Sequence, residues 1–517
     1  MSYFEFSTPE AQGISSAGLI HFLDEINRAS LELHRLMIIR HGVCVAKACA
    51  APYQETDLHP LFSFSKSFTS TAIGFAVQEG LLSLSDKVVD IFPDLMPTDP
   101  SENLQQVTVR DLLTMSCGQE TELWEHCPEW LTHFFAHPFP YKPGTFYLYN
   151  TAGTNVLAAV IKRKTGQDMM SYLKPRLFDP LAFGEITCHC LSDPEHTCMG
   201  GAGMKIQLED MAKFTYFMLR NGEWEGQKLL SGWYEQMGSK QIETLGDSFG
   251  HVKDWALGYG YQCWMCSLPG SYRADGAFGQ FGLVFPTLDL IVITNMATEM
   301  TQTFMDIVNE TLLPAVTPDG ACGSAAHTKA VLPENPSAYE ELTRRLADLH
   351  IPAQTGSRNP AMEEYLAASA FAAQSLDTDT AEKAAGQYVN SFDTLIGGSG
   401  LFDLQDDTQI TAMRFAFHKN DVAWTVTDGD VDKTITASLA NTFSYSTTCG
   451  HTYAATACWR SYSALEMEIR RMDALSGVRM IFHIDDKKHT ITMEINDTLL
   501  TPEGGLGITK RAMPVYQ

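Results

Sequence analysis

The sequence predicts a mixed α/β chain of the α+β kind. One antiparallel sheet is flanked by helices and broken by a helical insertion, and a smaller antiparallel β-barrel or sandwich domain follows. Three observations predict this. Strand signals open and close residues 1–315, while the stretch between them reads as helix. Strands at both ends of a helical stretch imply a single interrupted sheet. Pro314, Pro318, Pro333, Pro336, Pro352 and Pro360 then mark a boundary, and from Ala384 short alternating segments replace helical periodicity.

The elements follow in order. Residues 8–30 carry Leu19, Phe22, Leu23 and Ile26 on one face of an amphipathic helix. Residues 36–39 and 43–49 are apolar runs on either side of Arg40-His41-Gly42, which is a hairpin signal. Residues 64–79 nearly lack helix breakers and place Phe64, Phe68, Ala72 and Ala76 on one face, with Gly80 as the stop. The insertion, about 81–250, is expected to be mainly helical, including 107–115, the stretch after Asn150, and 208–220. Strand signals return at 256–266, 281–286 and 288–294. Residues 316–380 read as a linker with a short helix at 339–349. Residues 381–517 read as the β domain, with strands at 411–417, 422–426, 433–439, 452–459, 464–470, 478–484 and 490–495. Turns such as Asp428-Gly429 and Asp485-Asp486 separate them.

Composition narrows the function. A chain of 517 residues exceeds one ordinary core. A net charge of −26 argues against nucleic acid and anionic membrane surfaces as partners. No apolar run reaches spanning length. The start, Met1-Ser2-Tyr3-Phe4-Glu5-Phe6, lacks a basic segment followed by an apolar run, so a cytoplasmic location is expected. The twelve cysteines are scattered and would stay reduced there. Cys188-His189-Cys190, with His196 and Cys198, suggests zinc. The spacing matches no common site, however, and adjacent residues of a strand point to opposite faces. Cys263-x-x-Cys266 lies in an aromatic, strand-like segment, not at the strand-to-helix turn of a redox motif. Neither a metal nor an organic cofactor is expected.

The chemistry starts at Ser63-Phe64-Ser65-Lys66. Positions i and i+3 share a helical face, so the hydroxyl and the amine can touch. A lysine with a depressed pKa can take the proton of a serine, and the first helical turn favours negative charge on the serine oxygen. A second copy, Ser171-Tyr172-Leu173-Lys174, runs into Pro175 and is a poor start for a long helix. Pro143-Gly144 forms a turn, and Tyr149-Asn150 stands just before a helix that ends at Gly166. Tyr272 to Gln280 is rich in small residues beside a strand, where a main-chain N–H can bind an oxyanion. Trp124, Trp130, Phe134 and Phe135 offer an aromatic cleft wall or simple packing.

Taken in sequence, these three motifs resemble the serine β-lactamase and penicillin-binding-protein superfamily. Within it, the chain is similar to the branch near class C β-lactamases that includes esterases, amide hydrolases and acyltransferases. Residues 34–42, 107–115 and 200–204 share this resemblance, which covers roughly residues 8–315; the C-terminal β region is similar to a small barrel often appended to such hydrolases. The resemblance implies Ser63 as nucleophile, Lys66 as the group assisting its deprotonation, and Tyr149 as proton relay. It implies an oxyanion hole from the N–H groups of Ser63 and Ala277, beside Gly276, with Asn150 next to the tyrosine. The family's asparagine two residues after the tyrosine is Thr151 here. The third motif departs further: Ala274-Asp275-Gly276 stands where Lys-Thr-Gly or His-x-Gly is expected. The cation that helps hold a substrate carboxylate is missing, unless Arg273 replaces it.

The expectation is a serine hydrolase that acts on small esters or amides through an acyl-enzyme on Ser63. The rivals are a β-lactamase or D-amino-acid peptidase, an acyltransferase, and a non-catalytic binding module on the same fold. The presence of Ser63, Lys66 and Tyr149 together speaks against the last.

Overall fold

A computed structural model describes residues 2–123, 127–245, 252–320, 329–372, 410–428, 431–448, 450–475, 477–497 and 511–516. Trp124 and Gly429, and the start of the C-terminal domain before residue 410, lie outside them. The chain forms two compact units. The first comprises residues 1–50, 54–296 and 300–349; the second comprises 51–53, 297–299 and 350–517.

The first unit is built on a six-stranded antiparallel sheet. Its strands are β1 (Leu33–Arg40), β2 (Val43–Cys49), β3 (Trp264–Met265), β4 (Tyr272–Gly276), β5 (Gln280–Phe285) and β6 (Leu290–Met296), in the order β2-β1-β6-β5-β4-β3. β1 and β2 are the expected hairpin, and β1 then pairs with β6 in a register that sets Ile38 opposite Val292. Strand alternation sends Leu36 and Ile38 to one face. There they meet Leu19, Phe22 and Ile26 of helix α1 (Ser16–Arg28), together with Phe281, Leu283 and Phe304. Ser15 caps α1 by accepting a hydrogen bond from the Gly18 N–H.

Helix α2 (Ser65–Gln78) is buried along most of its length, and its polar groups are satisfied by neighbours. Ser65 accepts from the Met204 N–H, Ser67 donates to the Gln262 carbonyl, and Thr69 donates to the Gly200 carbonyl. A helix buried on all sides needs such partners, because an unpaired polar group there costs about 1–3 kcal/mol. Helix α3 (Thr151–Thr165) packs on α2, and helix α4 (Leu208–Leu219) packs on β5 and β6. The rest of the insertion is less helical than its composition suggests. Short helices such as Val109–Leu113 and Trp130–Ala136 alternate with turns. The first of these begins at a Thr108–Asp111 capping box and is followed, after Thr114, by Met115, whose φ of 57° leaves the helical region.

Two readings of the sequence are narrowed here. Trp130, Phe134 and Phe135 are buried, in line with the packing alternative; Phe135 packs on Phe92 and Phe134. The helix expected in the linker forms at Pro336–Ala347 but belongs to the first unit, where Arg345 pairs with Asp24 of α1.

The second unit holds one curled sheet, antiparallel except where Val431–Ser438 meets His451–Ser461 in parallel, that carries all seven strands read from the sequence. Its path runs from Ala370–Ala372 through Ile410–Phe417 to Arg511–Tyr516, and Ser444–Thr448 pairs to one side. Met362 and Leu366 of the helix Pro360–Ala367 lie in the same apolar cluster as Trp424, Met467 and Phe482 of the strands.

Candidate active site

Ser63 occupies a short 3-10 turn, Phe62–Phe64, that runs directly into α2. The α-helix therefore starts two residues later than the sequence suggests. Phe62 sits at φ 47°, a left-handed conformation that is costly for a bulky side chain and gives the chain a sharp turn just before the serine. One helical turn on, Lys66 is 1% exposed. Its Nζ donates to Ser63 Oγ at 3.0 Å, to Thr151 Oγ1 at 3.0 Å and to the Gly201 carbonyl at 2.7 Å.

This set has a chemical consequence. An ammonium has three hydrogens, one for each acceptor. A neutral amine has two; with those on Gly201 and Thr151, its lone pair faces Ser63 Oγ. Burial lowers the pKa of Lys66 to about 7, against the opposing pull of Glu122 and Asp275.

Thr151 opens α3 and takes up the lysine contact. Asn150, expected beside the substrate, caps this helix instead. Its Oδ1 accepts from the Gly153 N–H at 2.9 Å and its Nδ2 donates to Gln119 Oε1 at 2.7 Å. Tyr149 stands immediately before. Its ring centroid is 4.9 Å from Lys66 Nζ and stacks on Trp264 at 5.5 Å.

β4 lies against the serine turn. A Cβ on Gly276 would fall 2.1 Å from the Leu61 carbonyl oxygen and 3.2 Å from the Phe64 nitrogen, so only glycine permits this approach. Ala277 follows, half-buried, and leads into a tight turn through Phe278 (φ 66°) and Gly279 (φ 92°). Phe62 and Phe278 meet edge to face across the two segments, with centroids 5.4 Å apart. The small residues thus serve backbone-to-backbone packing around Ser63.

Arg273 does not replace the missing cation. Its side chain is fully buried over Trp255. Its guanidinium donates to the Met265 carbonyl at 2.7 Å, to the Asp254 carbonyl at 3.2 Å and to Asp275 Oδ2 at 2.8 Å. Alternation along β4 gives Arg273 and Asp275 a common face, where burial raises the pKa of Asp275 and Arg273 opposes the shift.

Two groups at the site were not assigned a role from the sequence. Glu122, in an irregular loop, accepts from the Thr151 and Ala152 N–H groups at the start of α3. Burial raises its pKa, while Lys66 and the helix N–H groups pull it down. The Gly201 carbonyl is 135 residues from Lys66, a distance no local pattern reports.

The other motifs are placed differently. Ser171 is spent on Asp168, donating from Oγ to Oδ2 at 2.6 Å, and Lys174 pairs with Asp179. Cys263 and Cys266 are buried, and burial raises both thiol pKa values. Among the described residues, no group of three or more His, Cys, Asp or Glu side chains is placed to hold a metal, and no helix is long and apolar enough to cross a membrane.

The β-lactamase family model matches residues 34–312, more than half of the chain, and the chain belongs to that family. Among curated proteins, it is 28% identical to a lovastatin esterase of Penicillium rubens over 157 residues, 25% of this chain and 39% of that protein. It is 24% identical to a β-lactamase of Yersinia enterocolitica over 183 residues, 33% of this chain and 42% of that protein. It is 22% identical to a 6-aminohexanoate-dimer hydrolase of Paenarthrobacter ureafaciens over 280 residues, 50% of this chain and 70% of that protein. The chain thus spans about two fifths of the length of the first two relatives.

Proposed function

We propose that this chain is a serine hydrolase for small esters or amides, working through an acyl-enzyme on Ser63. The observation that carries this reading is the buried Lys66 amine 3.0 Å from Ser63 Oγ, with a pKa near neutrality. Lys66 in its neutral form takes the serine proton as Oγ attacks the carbonyl carbon. The oxyanion forms against the N–H groups of Ser63 and Ala277, a role supported by the close approach of Gly276 to the serine turn. The proton passes through Lys66 and Tyr149 to the leaving alcohol or amine, and water then releases the acyl group. A bound alcohol or amine in place of water gives acyl transfer at the same site.

The charges around Lys66 favour a neutral or cationic substrate. Glu122 and Asp275 both act on Lys66 electrostatically, and Arg273 is committed to Asp275 and to main-chain carbonyls. This disfavours the β-lactam and peptide-carboxylate rivals, whose substrates carry an anion. The relatives named for an ester and for the dimer of an amino acid agree with the ester or amide class. The test compares hydrolysis of a neutral p-nitrophenyl acyl ester with that of a coloured cephalosporin. Faster turnover of the ester is expected, and efficient cephalosporin turnover with an inert ester would transfer the assignment to the β-lactamase reading.

A further inference from the structure

Outside the site just described, three thiols meet on one side of the insertion. They border a cleft of about 740 Å³ that Asp168, Glu195 and His196 also line. Cys190 and Cys198 face each other as an antiparallel bridge. The flanking hydrogen bonds, Leu191 N–H to the Thr197 carbonyl and Met199 N–H to the His189 carbonyl, are each 2.8 Å. This pattern makes Cys190 and Cys198 a non-hydrogen-bonded pair, whose Cα atoms approach to about 4.5 Å. That lies within the ~4.4–6.8 Å range that a disulfide spans. Cys188 lies two residues before Cys190, on the same face of the extended segment, and its thiol also meets Cys198. Cys190 is exposed and Cys198 is buried.

We infer that Cys190 and Cys198 form a thiol–disulfide exchange site that takes small disulfides as its oxidant. The exposed Cys190, once deprotonated, attacks one sulfur of the small disulfide, forming a mixed disulfide and expelling one small thiolate. Burial and the neighbouring Cys198 raise its pKa, so this step quickens as pH rises. Cys198 then attacks the Cys190 sulfur and expels the second. Two protein thiols are oxidised, one small disulfide is reduced to two thiols, and the two protein protons end on those thiols. Cys188 supports the second step by hydrogen bonding to Cys198, which holds the Cys198 pKa below its ordinary value.

The pair is wired to Lys66. Cys198 is followed by Met199, Gly200 and Gly201; the Gly200 carbonyl holds Thr69 Oγ1 at 2.8 Å and the Gly201 carbonyl holds Lys66 Nζ at 2.7 Å. Gly201 has little room to adjust, since a Cβ there would meet Thr151 Cγ2 at 2.5 Å. Linking Cys198 to Cys190 takes the Cys198 thiol away from Asp168 and Cys188 and so bears on the carbonyl that holds Lys66, three residues along. This second part rests on the proposed role of Lys66 at Ser63; the disulfide itself does not.

The experiment treats the full chain with glutathione disulfide and cleaves it, unreduced, after glutamate. Cleavage at Glu195 separates Cys190 from Cys198, so the bond appears as a linked peptide pair. The pair should form in the wild type and in Cys188→Ser, and be lost in Cys190→Ser and in Cys198→Ser. A pair lost in Cys188→Ser but kept in Cys190→Ser, glutathione retained on Cys190 alone, or no oxidation at all would overturn the site. Fluorophosphonate labelling of Ser63 should slow at least threefold in the oxidised wild type and recover with dithiothreitol, with no change in Cys190→Ser. An unchanged rate would overturn the coupling. No labelling in either redox state strikes at the Ser63 assignment, while the peptide pair still decides the disulfide.

Discussion

The protonation of Lys66 should set the acid side of the activity profile, and Glu122 should set where that side falls. The ammonium form is disfavoured by burial and favoured by Glu122 and Asp275, with the balance at about 7. Below that pH Lys66 is protonated and cannot accept the serine proton; above it the amine is free to do so. For a neutral ester, kcat/KM should therefore rise about tenfold per pH unit below the pKa and level off above it. Glu122→Gln removes one of the two carboxylates that favour the ammonium. Glu122 is the larger of the two opposing charges on Lys66. Removing a nearby opposite charge shifts a buried group by about 1–3 units, so the limb should move to lower pH by about a unit or more. Asp275 stays paired with Arg273 and changes little. The assay is initial-rate kinetics of a p-nitrophenyl ester across pH 5–9, with the phenolate signal corrected at each pH. A limb that stays in place, or moves to higher pH, would refute the argument that Glu122 holds the proton on Lys66.

Three further outcomes follow from the geometry. Gly276→Ala forces a Cβ to within 2.1 Å of the Leu61 carbonyl, so a stability loss of about 1–3 kcal/mol and a fall in kcat of about 10²-fold are expected; calorimetry and kinetics that both match the wild type would contradict the close approach. Arg273→Ala leaves Asp275 buried without its partner, which should cost about 3–5 kcal/mol and leave the neutral ester preferred at least as strongly as before. A normal melting temperature, with a wild-type preference for the anionic ester that the variant loses, would restore Arg273 as a substrate anchor. Tyr149→Phe should lower kcat by roughly 10²-fold with the circular dichroism spectrum unchanged, and near-normal turnover would move the proton relay elsewhere.

Much of the fold was legible because it rests on short-range periodicity. The hairpin at Arg40-His41-Gly42, the helix after Ser63 and the alternating C-terminal strands all follow local rules. The Ser63–Lys66 contact was legible for the same reason, since three residues along a helix is a fixed distance. The sequence leaves the role of Arg273 open because its environment depends on which face of β4 is covered, and Trp255 and Asp275 decide that. The resemblance set Asn150 next to Tyr149, and the cap that its side chain supplies to α3 was not read from the sequence. Glu122 and the Gly201 carbonyl reach Lys66 only through tertiary structure; nothing marked Glu122, and residues 200–204 stood out only by resemblance, without a contact to Lys66. The helix Pro336–Ala347 was visible, but its attachment to α1 through Arg345 and Asp24 was not.

The most direct measurement of the central claim is the intact mass of the protein after brief mixing with a neutral ester and an acid quench, followed by peptide mapping. The expected result is one acyl group per chain on Ser63, decaying with time, and absent from Ser63→Ala. A fluorophosphonate should mark the same residue. An acyl group or a phosphonate on another serine, Ser171 above all, or stable labelling of Ser63→Ala would contradict the assignment of Ser63 as the nucleophile.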